Sequence, residues 1–197
     1  MRFDGEALIP APPDVVWEGL NDPETLGRAI PGCEAMEQTG AREFTARVVM
    51  RVGPVSATFR GKVELDDLDP PHGYTLRGQG QGGAAGFAKG EARITLAPED
   101  GGTRLRYEAE ADVGGKLARV GSRLIQGVAR KTADDFFAAF GRVLTGEGAS
   151  EAGDDGVDRA RAAKRKPVAA GHIPLIDRVA WLLVGLALGV GLTVWIG

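Results

Sequence analysis

The chain has 197 residues, room for one domain of ordinary size with appendages, and carries a net charge of −3. So even a balance argues against a nucleic-acid partner. The single cysteine, Cys33, excludes an intramolecular disulfide and a cysteine-based metal site, and it agrees with a reducing, cytoplasmic setting.

Taken in order, residues 2–9 alternate between Phe3, Gly5, Ala7, Ile9 on one side and Arg2, Asp4, Glu6 on the other, which predicts a half-buried strand. The run begins with acids and lacks an apolar signal core, so no secretory leader is expected. Pro12 and Pro13 suit the first turn of a short helix through Val15, Val16, Trp17 and Leu20. Asn21-Asp22-Pro23 closes it, and a second short helix, 24–29, ends before Pro31. From Phe44 the period becomes two. Phe44, Ala46, Val48, Met50 and Val52 form one inward set, and Val55, Ala57, Phe59, Gly61, Val63 and Leu65 the next. Tyr74, Leu76, Gly78 and Gly80 follow the Pro70-Pro71-His72-Gly73 turn. Ala88, Gly90, Ala92, Ile94 and Leu96, then Leu105, Tyr107, Ala109, Ala111 and Val113, complete the series. Apolar residues alternating with charged ones describe an antiparallel sheet with one wet face and one covered face.

The cover is expected from residues 115–144, where Leu117, Val120, Leu124, Val128, Phe136 and Phe140 recur at helical spacing. A strand, two short helices, a run of hairpins and a long C-terminal helix make an α+β helix-grip body. In that body a curved sheet wraps a helix and leaves a cavity between them.

Residues 145–158 are a Gly/Ala/acidic linker with nothing to pack, and a basic cluster follows at Arg159, Arg161, Lys164, Arg165 and Lys166. From Val179 to Ile196 eighteen residues carry no charge. As a helix they would cover roughly 27 Å, close to a bilayer's hydrocarbon thickness. Trp181 and Trp195 stand near its ends, Arg178 precedes it, and Gly185 and Gly189 form a weak G-x-x-x-G pair. The expectation is one domain over 1–144, a linker over 145–178 and a single-pass membrane anchor over 179–196. Lys and Arg beside the anchor mark its cytoplasmic side.

The catalytic inventory is thin. His72 lies in a proline turn and His172 in the linker, so neither assembles with a nucleophile. Cys33 has no histidine nearby to activate it. The glycines of residues 78–83 lack the Lys-Ser/Thr of a phosphate loop. Gly61, Gly78, Gly80 and Gly90 fall on the inward face, where they predict either sheet curvature or open volume. The cavity wall is expected from Phe44, Met50, Phe59, Leu76, Ala92, Ile94 and Tyr107 on the sheet, with Leu117, Val120 and Leu124 on the helix. A flat or chain-like hydrophobic ligand suits such a wall. Lys116, Arg119, Arg123 and Arg130 recur along the expected long helix as a positive stripe, a candidate membrane or partner surface.

Three blocks carry a resemblance: G-E-A-L-I-P-A-P-P-D-V-V-W-E-G-L-N-D-P-E-T-L with I-P-G-C-E, then G-P-V-S-A-T-F-R-G-K-V-E-L, then G-G-K-L-A-R-V-G-S-R-L-I-Q-G-V-A-R-K. Together they resemble CoxG, the G subunit of carbon monoxide dehydrogenase, a family of the START-like (SRPBCC) superfamily, over about residues 1–144. The resemblance implies an accessory protein with no catalytic motif. It would bind a respiratory quinone, menaquinone or ubiquinone. It would recruit a molybdenum-containing carbon monoxide dehydrogenase or related hydroxylase to the bacterial cytoplasmic membrane, with its main domain in the cytoplasm. A START-like enzyme acting on a hydrophobic substrate, or a purely structural membrane anchor, are the alternatives.

Overall fold

The computed structural model describes residues 1–146. The basic cluster of residues 159–166 and the apolar segment 179–196 lie outside them. Strand β1 (Arg2–Ile9) leads to helices α1 (Pro13–Asn21) and α2 (Pro23–Ala29). Strands β2 (Cys33–Gly40), β3 (Glu43–Val52), β4 (Val55–Asp69), β5 (Gly73–Gln81), β6 (Phe87–Glu99) and β7 (Gly102–Gly114) follow. Helix α3 (Ser122–Thr145) packs back onto the body. The seven strands form one antiparallel sheet in the order β1-β7-β6-β5-β4-β3-β2.

Each hairpin places neighbours in sequence side by side, so one strand-to-strand connection is long. In it, α1 and α2 join β1 at one edge of the sheet to β2 at the other. Asp22 makes the joint between them. Its backbone N–H donates to the Gly19 carbonyl, closing α1. Its carboxylate accepts from the amides of Glu24 (3.4 Å) and Thr25 (2.8 Å), capping α2. These bonds hold the Asp22 carboxyl below the usual carboxylate range, the Thr25 side chain and amide foremost.

Strand β2 is not foreshadowed by the sequence pattern. Its pairing with β3 shifts register twice, between Cys33 and Ala35 and between Gln38 and Gly40, so the period-two signal is broken. The expected long helix is also corrected. In place of one helix over 115–144, residues 118–120 form a single 3-10 turn, and Gly121 stands at φ 97° before α3 begins. A left-handed backbone of this kind suits glycine, and it resets the helical phase. Ile125, Val128, Ala129, Ala133, Phe136 and Phe140 therefore face the core, whereas Leu124 is 45% exposed. The α3 C-terminus is closed by Gly146 at φ 75°, whose N–H reaches the carbonyls of Arg142 and Val143.

The outer face carries cross-strand ion pairs, among them Arg2–Glu110 (2.7 Å), Arg47–Glu34 (3.0 Å), Lys62–Glu43 (2.8 Å) and Arg77 with Glu91 (2.7 Å) and Asp66. Exposed pairs of this sort contribute about 0–1 kcal/mol each. The stability of the body rests on its inner face.

Candidate ligand cavity

Between the sheet and the helices lies a cavity of about 120 Å³. Its sheet wall is Phe44 of β3, Val63 and Leu65 of β4, Tyr74 and Leu76 of β5, Ala92 and Ile94 of β6, and Leu105 and Tyr107 of β7. Leu20 of α1, Leu26 of α2 and Ile30 close it on the helical side, with Met36 of β2 and with Phe136 and Phe137 of α3. The strands supply alternate residues, as the pleat requires, and the helices supply one apolar stripe each. No Asp, Glu, Lys, Arg or His stands in this wall among the described residues.

The aromatic rings are linked. Phe140 stacks on Phe136 (5.5 Å between centroids), Phe136 meets Phe137 edge-on (5.1 Å), and Phe137 lies 5.9 Å from Tyr107. Trp17 meets Tyr74 edge-on at 5.6 Å. Tyr107 also borders a second, polar crevice formed with Arg2, Phe3, Asp4, Gln126, Ala129 and Arg130. Burial pushes the Tyr107 phenol up, Asp134 and Asp4 add to the rise, and Arg130 opposes it.

The sequence-predicted wall residues divide by their position along the strands. Phe44, Leu76, Ala92, Ile94 and Tyr107 come together around the cavity. Met50, Phe59 and Leu117 are buried in the core elsewhere, Val120 is partly buried, and Leu124 faces outward. Phe59 fills space above glycine: a β-carbon on Gly82 would stand 2.5 Å from its ring, and one on Gly80 3.9 Å. The inward glycines are themselves aligned, Gly61 opposite Gly80 and Gly78 opposite Gly90, and none of them lines the cavity. Gly5 does similar work on β1, where its missing side chain makes room for the Tyr107 ring. The positive stripe is also altered. Lys116 and Arg119 precede α3, only Arg123 and Arg130 lie on it, and all four are exposed.

Sequence reasoning missed Leu20, Leu26, Ile30, Met36, Val63, Leu65, Tyr74, Leu105, Phe136 and Phe137 as wall residues. For most of them the apolar pattern is present, but it marks a face and not a position along it. Cys33 is half-buried and donates to the Ala35 carbonyl at 3.4 Å, and burial raises its thiol pKa, the opposite of what activates a nucleophile. His72 pairs with Asp69 at 3.5 Å in an exposed turn. Among the described residues no cluster of three His, Cys, Asp or Glu is placed to hold a metal, and no helix is long and apolar enough to cross a membrane.

Comparison with known proteins places this geometry. The fold matches Ara h 8.0201 (TM-score 0.54, 17% identity, 74% of this chain and 98% of that one). It also matches the Zhui aromatase/cyclase of a Streptomyces species (TM-score 0.52, 19% identity, 78% and 99%). A conserved protein of Geobacillus kaustophilus is more similar, with a TM-score of 0.70 and 32% identity over 75% of this chain and 97% of that one. Curated protein sequences give no match. The family model for CoxG, the G subunit of carbon monoxide dehydrogenase, matches residues 5–145, which take in all three helices and the sheet except the first three residues of β1. Block order, sheet topology and that match agree, and the chain belongs to the CoxG family of carbon monoxide dehydrogenase G subunits.

Proposed function

We propose that the protein is a membrane-tethered carrier of a hydrophobic ligand, a respiratory quinone such as menaquinone or ubiquinone. In this reading it brings a molybdenum-containing carbon monoxide dehydrogenase or related hydroxylase to the cytoplasmic membrane. The observation that carries the reading is the wholly apolar and aromatic cavity in a chain of this family. An apolar cavity of about 150 Å³ admits a benzene ring, so a space of about 120 Å³ suits a quinone ring better than an extended isoprenoid tail. The tail would stay outside, in or near the lipid. The uncharged run of residues 179–196 supplies the tether, and the basic residues 159–166 would add about 1 kcal/mol each on an anionic leaflet. Exposed Lys116, Arg119, Arg123 and Arg130 offer a surface to the lipid or to the enzyme.

A role without catalysis fits a wall whose polar groups are two tyrosine hydroxyls, each kept protonated by burial. The test is extraction of the full-length protein purified from its native membrane, with the bound lipid identified by mass spectrometry. Quinone in near-stoichiometric amount is expected. Recovery of phospholipid alone, or of nothing, refutes the carrier role.

A further inference from the structure

Tyr74 is the more buried of the two tyrosines in the cavity wall. It is 5% exposed, and its hydroxyl has no hydrogen-bond partner among the described residues. Every fully sealed side-chain nitrogen or oxygen among those residues does have one. The Tyr74 hydroxyl is therefore not sealed in the protein, and in the cavity wall it is a donor that no protein acceptor takes up. A ligand atom that accepts from this donor gains a hydrogen bond within an apolar wall, where such a bond is stronger than in water. Burial holds the phenol protonated, so it presents a donor across the physiological range. Its position is fixed. Trp17 braces the ring edge-on, and register places Tyr74 in one row with Ile94 and Tyr107 on the two adjoining strands. With no cation in the wall, a buried carboxylate or phosphate would find no counter-charge.

Resting on the reading of this cavity as a ligand site, we propose that Tyr74 is its specificity-determining residue. Its hydroxyl donates to a neutral acceptor oxygen, selecting a carbonyl-bearing ring over an acid of the same size.

The test uses the full chain, its Tyr74→Phe variant and three probes: tetramethylbenzoquinone, tetramethylbenzene and a methylated benzoate. Full methylation keeps Cys33 from adding to the quinone. Affinities are read from amide shifts of Ala92 and Ile94. Tyr74→Phe is expected to weaken the quinone about tenfold and to leave the hydrocarbon unchanged or tighter. The benzoate should not bind at neutral pH. The melting temperature of the ligand-free variant should stay close to that of wild type, because the substitution breaks no hydrogen bond within the protein. The proposal is overturned if the variant binds quinone as wild type does, if both uncharged probes weaken alike, or if the benzoate binds comparably. Failure of both uncharged probes to saturate the wild-type protein would instead overturn the cavity as a ligand site.

Discussion

Ala92→Leu tests the cavity directly, because Ala92 lies in its wall at 8% exposure, between Leu76 on β5 and Ala109 on β7. The three added carbons project into a space of about 120 Å³. Burying them is worth up to about 2.4 kcal/mol at ~0.8 kcal/mol per carbon, and overpacking costs about 1–3 kcal/mol where the fit is poor. The two nearly cancel, so unfolding free energy should stay within about 1 kcal/mol of wild type. Binding should behave differently. A ring entering the cavity must expel the new side chain and forfeit that gain of about 2.4 kcal/mol, a roughly fiftyfold rise in Kd. Phe59→Trp is the matched control. Phe59 is 4% exposed, sits over Gly80 and Gly82 and does not line the cavity. Enlarging it should cost about 1–3 kcal/mol and leave affinity alone. Denaturant unfolding gives the stabilities, and titration with tetramethylbenzoquinone gives the affinities. Unchanged binding in Ala92→Leu, or abolished binding in a folded Phe59→Trp, refutes the assignment of the cavity.

Three further outcomes are expected. Asp22→Ala should cost about 1 kcal/mol at neutral pH. The folded-state carboxyl pKa is lowered, so this stabilisation is complete above the unfolded value and disappears as pH falls through the folded one. Wild type and variant should converge at low pH in urea melts, and a pH-independent gap would rule out the cap as its source. In Gly5→Ala the new β-carbon would stand 2.4 Å from the Tyr107 hydroxyl. A loss of about 1–3 kcal/mol is expected by chemical denaturation, and a neutral result would mean that the ring is not seated there. Deleting residues 179–197 should leave the unfolding transition of the body in place and abolish co-flotation with liposomes. Flotation of the truncated chain would transfer membrane binding to the body.

How much of this could be read from the chain depends on what alternation encodes. Period two says which face a residue occupies, and by that measure Phe44, Leu76, Ala92, Ile94 and Tyr107 are placed as expected. It does not say how far along the strand the floor is covered. Met50 and Phe59 are as apolar and as inward as Phe44, yet they are buried outside the cavity wall. The long helix fails for a related reason. Leu117, Val120 and Leu124 keep helical spacing by chance across Gly121, and one left-handed residue turns Leu124 outward and Ile125 inward. Strand β2 is invisible to the pattern because two register shifts scramble its alternation. Tyr74 can be seen to face inward, but that its hydroxyl has no protein partner appears only once Trp17 and the cavity wall are placed around it.

The position of the cavity follows from topology. Seven strands at ~4.8 Å spacing make a flat sheet about 29 Å wide between its edge strands, β1 and β2. The connection between those edges contains helices of nine and seven residues, about 24 Å of helical rise in all. With residues 10–12, 22 and 30–32 added to the two helices, the connection is long enough to cross from one edge of the sheet to the other. It spans the inner face of a curved sheet, the architecture of the matched folds. A span leaves a gap beneath it. Leu20, Leu26 and Ile30 hang from the span, and Tyr74, Leu76 and Ala92 form part of the floor below. Phe59, Met50 and Leu117 are buried outside this wall. The volume open to a ligand is thus the clearance between this floor and α1, α2 and the Phe136–Phe137 end of α3, and it depends on how those helices are seated as well as on the wall residues.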